Sequence, residues 1–173
     1  MASTDRPSRE HSSPTHDDAL RALLKRLLHW EDAHVNLDTA LAGIPANLRG
    51  TPPPGGLHSL WQLLDHLRRT QGDILDFCRN PAYREMKWPE DYWPASPEPP
   101  SPAAWDECIA AMACDRTELE RMAVDTDVDL FATIPHGSGQ TSLRELLLVA
   151  DHTAYHVGQI VFVRRLLDIW PSP

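Results

Sequence analysis

Apolar residues recur at three- and four-residue intervals along four stretches of the chain, the spacing that gives an α-helix one apolar face. Three of these stretches begin with capping residues, because Thr15, Ser59 and Ser142 are each followed three positions later by Asp, Gln or Glu. The remaining stretch begins with Ser101, which is followed by Pro102. The predicted helices cover residues 15–41, 59–79, 101–124 and 142–169.

The fold class predicted from these four helices is all-α, a four-helix bundle with long crossover loops. The connections span about 16–20 residues, which is longer than tight helical hairpins need. Residues 81–100 are rich in proline and aromatic residues, so we expect an ordered loop that packs over the bundle. Residues 1–14 are predicted to be a disordered tail, and residues 15–170 a single domain.

Composition and charge narrow the class of partners. The chain has 173 residues and a formal net charge of −9, and residues 85–129 carry twelve acidic against three basic residues. An acidic surface without a basic stripe argues against nucleic acid or an anionic membrane as a partner. Three cysteines without a CxxC pair indicate reduced thiols and a cytoplasmic location. No apolar run was expected to reach the roughly 20 residues of a membrane span.

Two histidines in the last predicted helix suggest a metal site. His152 and His156 are four residues apart, so their imidazoles lie on one helical face, between apolar residues of the predicted seam. His66, on the second predicted helix, is the strongest candidate for a third ligand. Three histidines leave a fourth coordination position open, as in catalytic zinc sites, and imidazole also suits nickel, iron or copper. As alternatives to a metal site, His152 and His156 could form a hydrogen-bonded pair in the core or lie in a groove filled with water.

Several other residues are candidates for roles around that site. His34 is a candidate proton shuttle, or else a hydrogen-bonded core histidine, and Asp73 is a second candidate catalytic group. The aromatic side chains Trp88, Tyr92 and Trp93 of the proline-rich loop either form the roof of an apolar substrate cavity, or pack the loop onto the bundle, or form a dimer contact. The remaining polar candidates, which would support the ligands or line the pocket, are Asp65, Asp151 and Gln159.

Three segments resemble those of one known family. Residues 58–66 resemble the second-helix signature of DinB-like proteins, residues 151–160 resemble their H-x-x-x-H-x-G-Q element, and residues 88–94 resemble a loop of one branch. The resemblance implies a four-helix bundle with a three-histidine site for zinc, nickel or a similar divalent ion. The matching positions are His66, His152 and His156. It also implies a homodimer. Some members transfer thiol cofactors such as bacillithiol or mycothiol, and others are described as metal-dependent hydrolases.

The predicted function is therefore that of a metal-dependent hydrolase or thiol S-transferase. Its cofactor would be zinc or nickel, with iron as a further candidate, and its partner a small-molecule substrate or thiol. One alternative is a bundle that binds metal or a small ligand without turnover, in a stress response. Another is a dimerisation scaffold in which the histidines are only structural.

Overall fold

The computed structural model describes residues 15–171, and within that range the secondary structure is helical. It contains one short 3₁₀ helix, Ala46–Leu48, and an isolated β-bridge between Thr133 and Thr141. This confirms the all-α class, with five α-helices in place of the four expected. The predicted tail, residues 1–14, lies outside the described residues. The α-helices are α1 (His16–Leu27), α2 (Leu37–Leu41), α3 (Leu60–Arg79), α4 (Ala104–Val124) and α5 (Ser142–Leu166).

The first predicted helix was wrong as a single element, because the chain leaves the helix after Leu28 and re-enters it at Leu37. The predicted capping box at Thr15 is present. The break arises from Asn36, whose side-chain oxygen accepts from the backbone N–H of Thr39 and so caps a new helix. The Asn36 amide also donates to Glu31 across the break. Local polar hydrogen bonds therefore override the apolar periodicity in this segment.

The longer helices begin close to the predicted positions. Ser59 and Gln62 form the predicted capping box of α3. The sequence places the start of α5 at Thr141 or Ser142, and the structure selects Thr141, which accepts from the backbone N–H of Arg144. The predicted capping box of Ser142 and Glu145 is wrong, because with Thr141 as the cap the third residue after it is Arg144; the Glu145 carboxylate accepts from the Arg144 guanidinium at 2.7 Å.

Two apolar clusters form the core, at opposite ends of the bundle. One contains the first half of α3 and the second half of α5, and the other contains the ends of α1, α3 and α4. Along α5, residues 150–156 separate the buried members of the two clusters. His152 and His156 therefore lie where the apolar core is interrupted, which is the position in which buried polar groups need partners.

The helix α5 is more apolar than we expected from the sequence. By length and composition alone it could cross a membrane, which corrects the expectation that no segment would qualify. The core helix of a soluble bundle meets the same criterion. In this structure α5 packs against each of the other four helices. It also buries Glu145, His156 and Arg164.

The three cysteines differ in their exposure, which gives a first testable prediction. Cys114 is exposed, whereas Cys108 is buried and Cys78 is half-buried. Burial raises the pKa of both Cys78 and Cys108 to about 12, which leaves little thiolate at neutral pH. We therefore expect a thiol-directed chromogenic reagent to label one site rapidly in the native protein and all three after denaturation. In the variant Cys114→Ala the rapid phase should be lost; its persistence would contradict this assignment.

Candidate metal centre

Three histidines from two helices meet at the interruption of the core. His66 on α3 and His156 on α5 are buried, and His152 is half-buried. The Nε2 atom of His152 lies 3.2 Å from that of His66 and 3.1 Å from that of His156. One ligand nitrogen from each of the three residues lies within 4.8 Å of the other two. The structure therefore brings together the three residues that the sequence predicted as ligands.

Hydrogen bonds on the far side of two rings determine which nitrogen carries the proton. The Nδ1 atom of His66 lies 2.9 Å from the Tyr92 carbonyl oxygen, and Nδ1 of His156 lies 2.8 Å from Gln159 Oε1. Carbonyl oxygens only accept, so both Nδ1 atoms donate and both Nε2 atoms present a lone pair. This is the arrangement in which a second residue orients a histidine for metal binding.

The donor set fits a divalent ion. Nitrogens about 2.0–2.1 Å from a tetrahedral zinc ion lie about 3.3–3.4 Å from one another, within a few tenths of an ångström of the two closest Nε2 pairs. The Nε2 atom of His152 can donate a single proton, so it can satisfy His66 or His156 but not both. A metal ion would satisfy all three lone pairs at once, and three protein ligands leave a position open.

Burial keeps the imidazoles in the form that binds metal. Desolvation, with a smaller contribution from the neighbouring histidines, lowers the pKa of His152 and of His156 to about 4. Desolvation also lowers the pKa of His66. Because a neutral imidazole is the metal ligand, the cluster would not have to lose protons to bind an ion near neutral pH.

The proline-rich loop supplies the carbonyl that orients His66. The phenol of Tyr92 donates to Asp73 at 2.8 Å, and the phenol of Tyr83 donates to the other oxygen of that carboxylate at 3.0 Å. Burial and these hydrogen bonds to Asp73 raise the pKa of both phenols. Arg69 donates to the Asp91 carbonyl at 3.0 Å and fastens the same part of the loop to α3. Asp73 and Arg69 thus hold Tyr92 in place beside His66.

Trp93 stacks between two histidines next to the centre. Its indole stacks on the His66 imidazole with ring centroids 3.8 Å apart and planes 2° from parallel. On its other face it stacks on His58, at 3.9 Å and 18°. The stack fixes the orientation of the His66 ring and brings a fourth histidine close to the three candidate ligands.

A cavity of about 510 Å³ opens onto the histidines. Trp88 and Tyr155 line it although each is more than half exposed, at 68% and 64%. Among the described residues that line it there is no lysine, arginine, aspartate or glutamate. The lining consists of His58, His66, Thr70, Trp88, Tyr92, Trp93, His152, Tyr155, His156 and Gln159.

The structure does not bring the two predicted catalytic residues to this cavity. His34 is exposed, bonds to the Val35 carbonyl, and lines a different cavity of about 400 Å³ between the α1–α2 connection and α5. Asp73 does not line this cavity and is connected to the centre through the phenol of Tyr92. Asp151 also lines the cavity that contains His34.

The residues around the site differ in how well the sequence indicated them. Gln159 was expected near the site and is hydrogen-bonded to His156. Sequence reasoning did not identify His58 as part of the site, although it lines the cavity and stacks on Trp93. No spacing in the sequence connects it to the other histidines, because Trp93 of the distant loop is what brings them together.

Comparison with known proteins gives the family. No curated protein and no solved structure matches the chain. A family model described as the DinB superfamily matches residues 29–160, more than half of the chain. The matched range contains all three histidines of the cluster, and it confirms the resemblance seen in the sequence motifs. The chain belongs to the DinB superfamily.

Proposed function

We propose that His66, His152 and His156 bind a divalent metal ion, zinc or nickel in the first instance, with iron as a further candidate. We further propose that the protein is a metal-dependent enzyme, either a hydrolase or a thiol S-transferase. The observation that carries the proposal is the convergence of three Nε2 atoms, two of which present a lone pair. When bound, a divalent ion lowers the pKa of a coordinated water or thiol and so supplies a nucleophile near neutral pH. A cytoplasmic location and a homodimer stay predictions.

The chain's own residues would orient the ligands and limit access to them. The Tyr92 carbonyl and the Gln159 amide oxygen accept the Nδ1 protons of His66 and His156, which directs their Nε2 atoms into the cavity. Trp93 covers one face of the His66 imidazole by stacking on it. A substrate would therefore approach from the open side, where Trp88 and Tyr155 are exposed.

Besides Tyr92, whose phenol donates to Asp73, two ionisable side chains in the cavity favour an enzyme over a binding module without turnover. His58 and Tyr155 both line the cavity and are not among the three proposed ligands. An imidazole or phenol in the cavity could move a proton to or from a bound substrate. We propose His58 as the first candidate for that role, because its stack on Trp93 holds it beside the centre.

Cobalt substitution tests the open coordination position directly. The metal-free protein loaded with Co²⁺ should show the visible absorption of a tetrahedral site, and an added thiol or azide should change that spectrum by binding to the ion. His58→Ala should leave the Co²⁺ spectrum in place while it lowers any thiol-transfer or hydrolytic rate. A cobalt spectrum that neither thiol nor azide alters would show a closed structural site and would contradict the proposed activity.

The outer hydrogen bond of His156 should contribute measurably to metal affinity. Replacing Gln159 by Met removes the acceptor of the Nδ1 proton while it keeps similar volume. Loss of such a partner costs about 10–100-fold in affinity. We expect that decrease in a competition titration against a chromophoric chelator, and a much smaller one for Gln159→Glu, which retains an acceptor. Equal affinities for Gln159→Met and the wild type would exclude an orienting role for Gln159.

A further inference from the structure

The cavity that opens onto the histidines has several aromatic side chains in its lining and no lysine, arginine, aspartate or glutamate among the described residues that line it. Its lining, within the described residues 15–171, contains four aromatic residues other than histidine, namely Trp88, Tyr92, Trp93 and Tyr155. Tyr92 and Trp93 are engaged with Asp73 and with the His58–His66 stack. Trp88 and Tyr155 have no comparable burial and expose most of their surface at the mouth.

From this lining we infer that the substrate binds through an uncharged aromatic ring, which packs on Trp88 and Tyr155 while its reacting group reaches the histidines. The inference rests on the proposed function only for what happens at the metal. Aromatic side chains favour ring partners in offset or edge-to-face contact. Large apolar side chains exposed at the rim of a cavity are typical of a ligand-binding surface.

The position of Tyr155 connects the ring-binding surface to the centre. Its ring lies edge-on to the His156 imidazole, with centroids 5.0 Å apart. Trp88 lies against the Tyr92 ring, at 5.5 Å between centroids, and Tyr92 supplies the carbonyl that orients His66. A ring that packs on Tyr155 would therefore lie next to His156, and one that packs on Trp88 would lie next to the residue that orients His66.

The absence of charged lining residues determines which substrates are disfavoured. A carboxylate or phosphate on the part of the ring that faces Trp88 and Tyr155, away from the proposed ion, would lose water in the cavity without gaining a lysine or arginine partner, and such unpaired burial is costly. The net charge of −9 adds repulsion at longer range. Gln159 uses its carbonyl for His156 and keeps its NH₂ as a donor, which suits a neutral acceptor such as an amide or ester carbonyl.

Three matched thiols test the inference on the full-length protein. Benzyl mercaptan is the aromatic, uncharged probe, its para-carboxylate derivative adds one negative charge, and cyclohexylmethyl mercaptan removes the aromaticity. Dissociation constants are measured by calorimetry on the metal-free protein and on the Co²⁺-loaded protein. We expect benzyl mercaptan to bind about tenfold or more tightly than the carboxylate. It should also bind about two- to tenfold more tightly than the cyclohexyl compound.

Substitutions in the cavity lining test which side chains cause the preference for the aromatic thiol. Trp88→Ala and Tyr155→Ala should each reduce the preference for the aromatic thiol, and Trp88→Phe should retain it because a ring is still present. The matched control is Phe131→Ala, which removes an aromatic side chain that is 64% exposed and lies outside the cavity. It should leave all three constants unchanged.

The outcomes separate this inference from the proposed function. Equal affinity for the three thiols, or a preference that survives both alanine variants, would overturn the inference even if the protein binds Co²⁺. Failure of the wild type to take up Co²⁺ would contradict the proposed function, and the metal-free titrations would still decide the inference. Aromatic preference in both forms, lost in Trp88→Ala and Tyr155→Ala, is the result we expect.

Discussion

Replacing any one of His66, His152 or His156 by alanine is expected to abolish stoichiometric metal binding. Each replacement removes a ligand nitrogen from a set of three whose Nε2 atoms are 3.1 and 3.2 Å apart in the two closest pairs. The loss of affinity should exceed the about 10–100-fold that loss of an outer partner costs. A competition titration measures the affinity and elemental analysis the number of metal ions per chain, both on protein purified without a polyhistidine tag.

A matched control separates ligation from general damage. His58→Ala removes a histidine that lines the same cavity but has no bond to the cluster, so it should retain one metal ion per chain. In the absence of metal, alanine at position 152 should lower stability least of the three, because His152 is the only one that is not fully buried. Full metal occupancy in His152→Ala would exclude the proposed ligand set.

Replacing Leu64 by alanine should give the largest loss of stability. The Leu64 side chain is fully buried in the cluster shared by α3, α4 and α5. Truncation of a buried leucine costs about 2–5 kcal/mol, because apolar contacts are lost and a cavity remains. For a chain of this size the melting temperature should fall by about 4–20 °C. Denaturant unfolding and calorimetry measure both quantities.

The control for Leu64→Ala is Leu57→Ala, since Leu57 is 43% exposed just before α3. That variant should change the free energy of unfolding by less than about 0.5 kcal/mol. Leu64→Ala should still bind one metal ion per chain below its melting temperature, because Leu64 does not line the cavity. Equal free energies of unfolding for the two variants would contradict the burial of Leu64 in the core.

Local signals explain why α3 was predicted well and the first helix was not. The capping box of Ser59 and Gln62 and the apolar stripe of α3 agree, so tertiary contacts had nothing to override. Between Leu27 and Leu37 the apolar spacing continues, but Asn36 bonds to Thr39, Glu31 and His29 and starts a new helix. Those bonds depend on a turn that periodicity does not reveal.

In the candidate site, too, some residues could be predicted from local sequence and others depend on tertiary contacts. His152 and His156 were predictable because four residues on a helix place two side chains on one face. His66 could be added because it lies beside the apolar stripe of a second helix. The Tyr92 carbonyl and the His58–Trp93 stack could not be predicted, since both depend on how the proline-rich loop folds back over α3. Neither predicted role of His34, a proton shuttle or a core histidine, fits its position, because it lies in the break between α1 and α2 and is exposed.

The measurement that tests the central claim most directly is an anomalous-scattering map from crystals of the untagged protein, with elemental analysis of the same preparation. We predict one peak per chain, between the Nε2 atoms of His66, His152 and His156, with one position free for water or a thiol. The elemental analysis should give one divalent ion per chain. No peak at the three histidines, together with a melting temperature that neither chelator nor added metal changes, would contradict the account.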